Sequence, residues 1–266
     1  MVTLLLILIL SGVYCYLFNF IPLSPWFNFL WAVLSIILSI LSFLLFVVIF
    51  LRATKNKNIT GKIRYKVIRD IVKFILILCN TKVEYVGKEN VPNETYVCYA
   101  NHKSNMDIFL AWYGMNRVCS AIGKKSLFKY PIIKQCQYSF GCISLDRDND
   151  RAAAKSMIEA IKNIKYGLSY IIFPEGGIKS RDVEEMVNLR AGAYKLVTKT
   201  EVPLLPCTII GSNGFSKRKS IFKRVKVKVI YHKPITSDEY MQYNTTEIGN
   251  MVMDITKKTL EENNNN

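Results

Sequence analysis

The pattern of hydrophobic and polar positions divides the chain at Arg52. No Lys, Arg, Asp or Glu occurs before that residue. Phe27 to Leu51 is an unbroken uncharged run rich in Leu, Ile, Val and Phe. As a helix it would extend about 37 Å, enough to cross a hydrocarbon core of about 30 Å with some tilt. Val2 to Ile21 is a second uncharged stretch of nearly the same length. Pro22, Ser24 and Pro25 punctuate the join, because proline disfavours continuing a helix through it. The pattern predicts a membrane hairpin of two hydrophobic helices over residues 1–51. Whether it spans the bilayer or re-enters one leaflet stays open. A signal peptide fits residues 1–21 poorly, since they carry no basic start and no small-residue cleavage site before Pro22.

Past Arg52 the period changes. Val67, Ile68, Ile71, Val72, Ile75 and Leu76 recur at helical spacing, which predicts an amphipathic helix within Gly61–Asn80. Residues 52–80 thus read as a basic juxtamembrane segment whose helix packs on a core, with attachment to the membrane surface as the competing reading. Strands are then expected at Lys82–Val86, Thr95–Ala100, Val118–Ile122, Gly141–Leu145, Leu168–Phe173, Pro203–Ile210 and Val225–Tyr231. Between them fall helices at Ser104–Tyr113, from near Lys125 to a break around Pro131, at Asp150–Ile164 capped by Asp148 or Asn149, and at Arg190–Thr200. A capping box, Thr236-Ser-Asp-Glu239, opens the last helix. This alternation predicts an α/β fold, a largely parallel sheet flanked by helices, over residues 81–262, with a disordered tail at 263–266.

Charge adds direction. The net charge is +16, all of it on residues 52–266. Arg52, Lys55, Lys57, Lys62, Arg64, Lys66 and Arg69 follow the second hydrophobic helix at once. By the positive-inside rule this collar predicts a cell-membrane protein with its soluble domain on the cytoplasmic face. The same collar should attract anionic membrane lipids. The seven cysteines are odd in number and lack a C-x-x-C spacing, so they read as reduced core thiols. With two histidines and no clustered cysteines, no metal site is expected. No helix carries a basic base-reading pattern, so nucleic acid is not an expected partner.

Four segments carry candidate chemistry. The first is Asn101-His102-Lys103-Ser104-Asn105-Met106-Asp107, at the exit of a predicted strand. His102 and Asp107 suit a general base and its orienting carboxylate. On a regular helix an i,i+5 pair is rotated by about 140°, so the two meet only if His102 lies in the loop ahead of the helix. Ser104 as N-cap and Asp107 three residues on fit that arrangement, though Asp107 could equally serve only as a cap. The second segment, Gly141 to Arg147, ends a strand in a guanidinium suited to phosphate, or to a surface ion pair with Asp146 or Asp148. The third, Phe173-Pro174-Glu175-Gly176-Gly177, is a tight turn where backbone can approach a ligand and Glu175 could accept from hydroxyls. The fourth, Val202 to Pro206, is an apolar strand with two prolines, expected to border a cleft. His232 reads as a packed residue at the sheet edge.

In this order and spacing the four segments resemble the glycerolipid acyltransferase family, in particular the 1-acyl-glycerol-3-phosphate acyltransferases. Asn101, His102 and Asp107 match its Asn-His-x4-Asp motif. Gly141 and Arg147 match the second motif, with Ser144 in place of an aromatic residue. Phe173 to Gly176 match the third, with Gly177 and Ile178 in place of Thr-Arg. Val202 to Pro206 match the fourth. The likeness covers about residues 80–235. It implies acyl transfer from acyl-CoA or acyl carrier protein to lysophosphatidic acid, with His102 and Asp107 catalytic. It also implies Arg147, Glu175, Gly176, Lys124 and Arg190 as substrate-binding, Lys179 or Arg181 replacing the missing arginine, and no cofactor beyond the thioester co-substrate. Backbone N–H groups near Ser104–Met106 would stabilise the oxyanion. Without a Gly-x-Ser-x-Gly elbow, direct transfer is expected. The alternatives are another acceptor, such as glycerol-3-phosphate or a different lysophospholipid, or a membrane-tethered module that binds anionic ligands.

Overall fold

A computed structural model describes residues 2–18, 25–53, 62–115, 117–129, 134, 137–138, 140–146, 149–178, 180–182, 184–187, 189–220 and 222–264. The chain divides into two units, Met1–Ile75 and Leu76–Asn266.

The first unit is helical, as its uncharged runs require. Helix α1 covers Val2–Phe18 and α2 covers Pro25–Ala53. Pro25 occupies the first position of α2, where a missing N–H costs nothing; Pro22 and Ser24 lie outside the described residues. Asn28–Ala53 is long and apolar enough to cross a membrane. Helix α1, at 17 residues, reaches only about 25 Å and falls short of a bilayer core. Its few polar groups find partners: Tyr14 Oη and Ser42 Oγ lie 2.8 Å apart. Ser39 Oγ donates to the Ser35 carbonyl one turn back, at 2.6 Å. Helix α3, Lys62–Leu78, begins in this unit and carries its apolar stripe on Ile68, Val72 and Leu76, which are buried.

The second unit is built on seven strands: β1 Thr81–Val86, β2 Val97–Ala100, β3 Ser120–Lys124, β4 Ile143–Leu145, β5 Tyr170–Ile172, β6 Leu204–Ile210 and β7 Val225–Tyr231. Their order is β1-β7-β6-β2-β5-β3-β4. From β6 to β4 all neighbours are parallel, as are β1 and β7, and among the described strands only the β6–β7 ladder is antiparallel. The central strands β2 and β5 are buried along their whole length, as a strand covered on both faces must be. The helices are α4 Asp107–Met115, α5 Asp150–Lys165, α6 Lys195–Thr200, α7 Gly214–Lys217, α8 Ser237–Tyr240 and α9 Thr245–Asn264. Tyr99, Tyr170, Leu196, Leu204, Ile248 and Val252 form the core between the sheet and α5, α6 and α9.

Several expectations change in detail. Asn149, not Asp148, caps α5, its side chain accepting from the Ala152 N–H at 3.0 Å. The Thr236–Glu239 capping box is present but opens only the one-turn helix α8, and the last helix starts afresh at Thr245. Its final turns run through Asn263, which accepts from Lys228 Nζ at 2.9 Å, so the tail is ordered further than its composition suggests. The break around Pro131 falls outside the described residues. Strand β6, which Pro203 precedes and which contains Pro206, lies inside the sheet between β2 and β7, not at its margin. Pro206 is accommodated because the β6–β7 ladder begins only at Cys207, and the Pro206 carbonyl accepts from the His232 N–H at 3.0 Å. His232 is half-buried past the end of an inner strand, its Nε2 lying 2.8 Å from Thr208 Oγ1. Burial pushes its imidazole below the usual range, against the opposing pull of Glu262.

Candidate active site

Parallel strands share an edge, so the loops that leave β2, β5, β3 and β4 emerge side by side. That topology sets the first and third candidate segments side by side, with β4 of the second segment two strands further along the same sheet. The β2–β5 register pairs Tyr99 with Ile172. Continued past the strand ends, it sets the His102 loop beside Phe173-Pro174-Glu175.

His102 lies in the loop and Asp107 in the first turn of α4, as the spacing demands. His102 Nδ1 is 3.0 Å from Asp107 Oδ2. A carboxylate can only accept, so in the neutral imidazole Nδ1 carries the proton and Nε2 keeps the lone pair. Asp107 is fully buried, whereas the His102 side chain keeps 17% of its surface open. Asp107 Oδ2 also accepts the N–H groups of Lys103 at 2.7 Å and Ser104 at 2.8 Å. One carboxylate therefore caps the helix and fixes the imidazole at once.

That economy removes part of the expected oxyanion site. The Ser104 N–H is committed to Asp107, and the Met106 N–H to Ser104 Oγ at 3.2 Å.

Glu175 is the second anchor, and it differs from the expected hydroxyl acceptor. It is fully buried. Its Oε1 accepts the His102 N–H at 2.8 Å. Its Oε2 faces Lys103 Nζ at 2.9 Å and the Val187 N–H at 3.3 Å. Both oxygens are occupied by the chain's own donors. Lys103, which the motif leaves unassigned, is buried and paired with Glu175. A lysine amid apolar strand exits was the available signal.

Phe173 adds a contact from the other side. Its ring stacks on the His102 imidazole, centroids 4.2 Å apart and planes 23° apart. Asn101 makes three hydrogen bonds, two tying the β2 exit to β6 and one to the Glu184 segment. Its Nδ2 donates to the carbonyls of Ile209 at 2.8 Å and Glu184 at 3.2 Å, and its Oδ1 accepts the Ile209 N–H at 2.7 Å. Glu184, not foreseen from the motifs, accepts the Gly211 N–H at 2.8 Å. Burial pushes the Glu184 carboxyl above the usual carboxylate range; the Gly211 N–H and Lys217 oppose the shift and the Asp107 charge adds to it.

Around this buried centre lie exposed cations. Gly176 has a φ of +69°, and a Cβ there would stand 2.5 Å from Arg190 Nε. Only a glycine lets the Arg190 side chain lie across the turn. The Arg190 N–H is held by the Pro174 carbonyl at 2.9 Å. Lys124 ends β3 and is exposed. Asp146 pairs with Lys125 at 2.8 Å. Arg147 itself lies outside the described residues, as does Lys179; Arg181 is exposed. Gly177 sits at φ +143°, a conformation open to glycine and strained for the threonine it replaces.

Residues 82–210 match the acyltransferase family. A probable 1-acyl-sn-glycerol-3-phosphate acyltransferase of Mycoplasma pneumoniae is 29% identical over 241 residues, spanning 82% of this chain and 88% of that protein. The 1-acyl-sn-glycerol-3-phosphate acyltransferase of Borreliella burgdorferi is 28% identical over 202 residues, spanning 75% and 80%. The crystal structure of the 1-acyl-sn-glycerophosphate acyltransferase from Thermotoga maritima shares the fold, with a TM-score of 0.65 at 24% identity over 82% of this chain and 95% of that one. Sequence likeness along most of the chain and a shared fold agree: the chain is similar to the 1-acyl-sn-glycerol-3-phosphate acyltransferases, with the acyltransferase match falling on residues 82–210.

Proposed function

We propose that the chain transfers a fatty acyl group from a thioester, on coenzyme A or acyl carrier protein, to the sn-2 hydroxyl of 1-acyl-glycerol-3-phosphate, giving phosphatidic acid. The observation that carries this reading is the His102–Asp107 pair: Nδ1 is fixed 3.0 Å from the buried carboxylate while the ring stays partly open. The names of the relatives support the choice of acceptor.

In the proposed step, His102 Nε2 takes the hydroxyl proton as the oxygen attacks the thioester carbonyl. Asp107 holds the tautomer and stabilises the imidazolium. The tetrahedral intermediate collapses with cleavage of the C–S bond, and the imidazolium returns the proton to the departing thiolate. No acyl-enzyme forms. Arg190, Lys124 and Arg147 take the acceptor phosphate, where a guanidinium can donate two parallel hydrogen bonds. Gly176 lets Arg190 reach across the turn. Glu175 acts by holding the His102 backbone and the Lys103 charge. The basic collar after α2 favours a cytoplasmic catalytic unit.

The test is an acyltransferase assay with lysophosphatidic acid, glycerol-3-phosphate and other lysophospholipids, offered with both thioester carriers. Preferential turnover of lysophosphatidic acid supports the reading, and turnover of glycerol-3-phosphate alone refutes it. A covalent acyl-enzyme trapped in single turnover would rule out direct transfer.

A further inference from the structure

Residues 211–228 hold seven Lys and Arg and no acidic residue. They form α7, the loop after it and the start of β7, a strand antiparallel to β6. Strand β7 therefore begins at the same sheet edge where β2 and β6 end. The β6–β7 register pairs Ile210 with Lys228, which puts Val225 beyond the carboxyl end of β6. Strand β1 runs parallel to β7 with Thr81 opposite Val225, so Asn80 and Leu78 reach that edge too. The His102 loop lies two strands across the sheet from β7, about 10 Å in the lateral direction.

This corner exposes an unusual amount of apolar surface beside its charges. Phe222 is 82% exposed, Leu78 63% and Ile77 56%. They are held together by the backbone. Asn80 Nδ2 donates to the Phe222 carbonyl at 2.6 Å, and Arg218 Nη1 to the Cys79 carbonyl at 2.7 Å. Lys219, Lys223 and Arg224 stand exposed around Phe222. A soluble partner with acidic groups would explain the cations but not an aromatic ring and two aliphatic side chains left in water. A bilayer surface explains both, since phosphate headgroups take the cations and the region beneath them takes the apolar groups.

We propose that Phe222, Leu78 and Ile77, framed by Lys219, Lys223 and Arg224, are a membrane-docking surface of the second unit that recognises anionic lipid. Its residues are other than those of the hydrophobic helices α1 and α2 and of the collar that follows them in sequence. It holds the sheet edge bearing His102 against the bilayer, where a lipid acceptor enters and its product leaves. Each cation near an anionic surface strengthens attraction about fivefold.

The full chain, reconstituted in nanodiscs, tests this directly, because α1 and α2 keep every variant on the disc. A benzophenone-bearing phenylalanine replaces Phe222, or replaces Tyr166 as a control. Tyr166 is 80% exposed and precedes β5, at the opposite edge of the sheet. On irradiation, lipid adducts at position 222 should exceed those at 166 severalfold in discs containing phosphatidylglycerol. They should fall towards the control level in phosphatidylcholine discs and in the Lys219→Glu/Lys223→Glu/Arg224→Glu variant. Equal yields at both positions overturn the proposal, as do yields indifferent to lipid charge. Adducts to added acyl carrier protein in place of lipid would assign the surface to a protein partner and overturn it as well.

Discussion

The Phe173 ring lies nearly flat on the His102 imidazole, 4.2 Å between centroids. Two loops from neighbouring strands thus clamp one side chain, Asp107 from within its own loop and Phe173 from the next. Such aromatic pairs contribute about 0.5–1.5 kcal/mol beyond burial, which corresponds to roughly 2- to 10-fold in rate if lost only in the transition state. Phe173→Leu should lower kcat by about that factor with little change in KM, measured by steady-state assay.

Removing the base itself has a larger effect. General-base assistance is worth about 10²–10⁴ in rate. His102→Ala should lose activity in that range while keeping its circular dichroism spectrum, since His102 is partly open and the Asp107 carboxylate retains the Lys103 and Ser104 N–H groups. Near-normal turnover would remove His102 from the mechanism.

The Lys103–Glu175 pair is buried on both sides. Removing one charge strands the other, at a cost of about 3–5 kcal/mol, whereas removing both is often near neutral. Lys103→Met and Glu175→Gln should each depress Tm strongly, and the double variant should recover most of the loss. Thermal melts in detergent decide it; additive losses would show that the two charges are not coupled.

Gly176 and Arg190 act together. Gly176→Ala places a methyl group against the guanidinium at a positive φ, so Arg190 must move. Charge-assisted hydrogen bonds are worth about 1.5–3 kcal/mol. Arg190→Ala should therefore raise KM for the phosphate acceptor about 10- to 100-fold, leaving KM for the thioester nearly unchanged. Gly176→Ala should shift the same constant in the same direction.

His232 gives the fold a pH dependence. Burial lowers its folded-state pKa below the unfolded value. The stability it contributes is present above the unfolded pKa, near 6.5, and is lost as pH falls through the lower folded value. In the protonated ring Nε2 can only donate across the 2.8 Å contact with Thr208 Oγ1. Melting curves between pH 7.5 and 5.5 should show a decline that His232→Gln reduces. An equal decline in the variant would place the acid sensitivity elsewhere.

Much of this architecture is legible in the residues. The alternation from Thr95 to Ile210 predicts parallel strands, and β2, β5, β6 and β7 stand within two residues of their expected bounds. The His102–Asp107 geometry follows from a spacing that a helix forbids and a loop permits. Pro206 misled because a proline in a strand signals a local gap in hydrogen bonding, and here the gap lies on the β7 side of an inner strand. Glu175 misled because a polar residue on a glycine turn looks open. Its burial depends on the register of two strands about 70 residues apart, which local pattern does not encode.

The division is physical. Hydrophobic period, turn residues and charge are local properties, and by themselves they determined the apolar helices, the succession of strands along the chain and the candidate base. Strand order, register and burial are cooperative properties of distant segments. Only these decided that Lys103 pairs with Glu175, that Phe173 stacks on His102, that Asn101 ties β2 to β6, and that Asn80 holds the Phe222 carbonyl at the edge bearing the dyad.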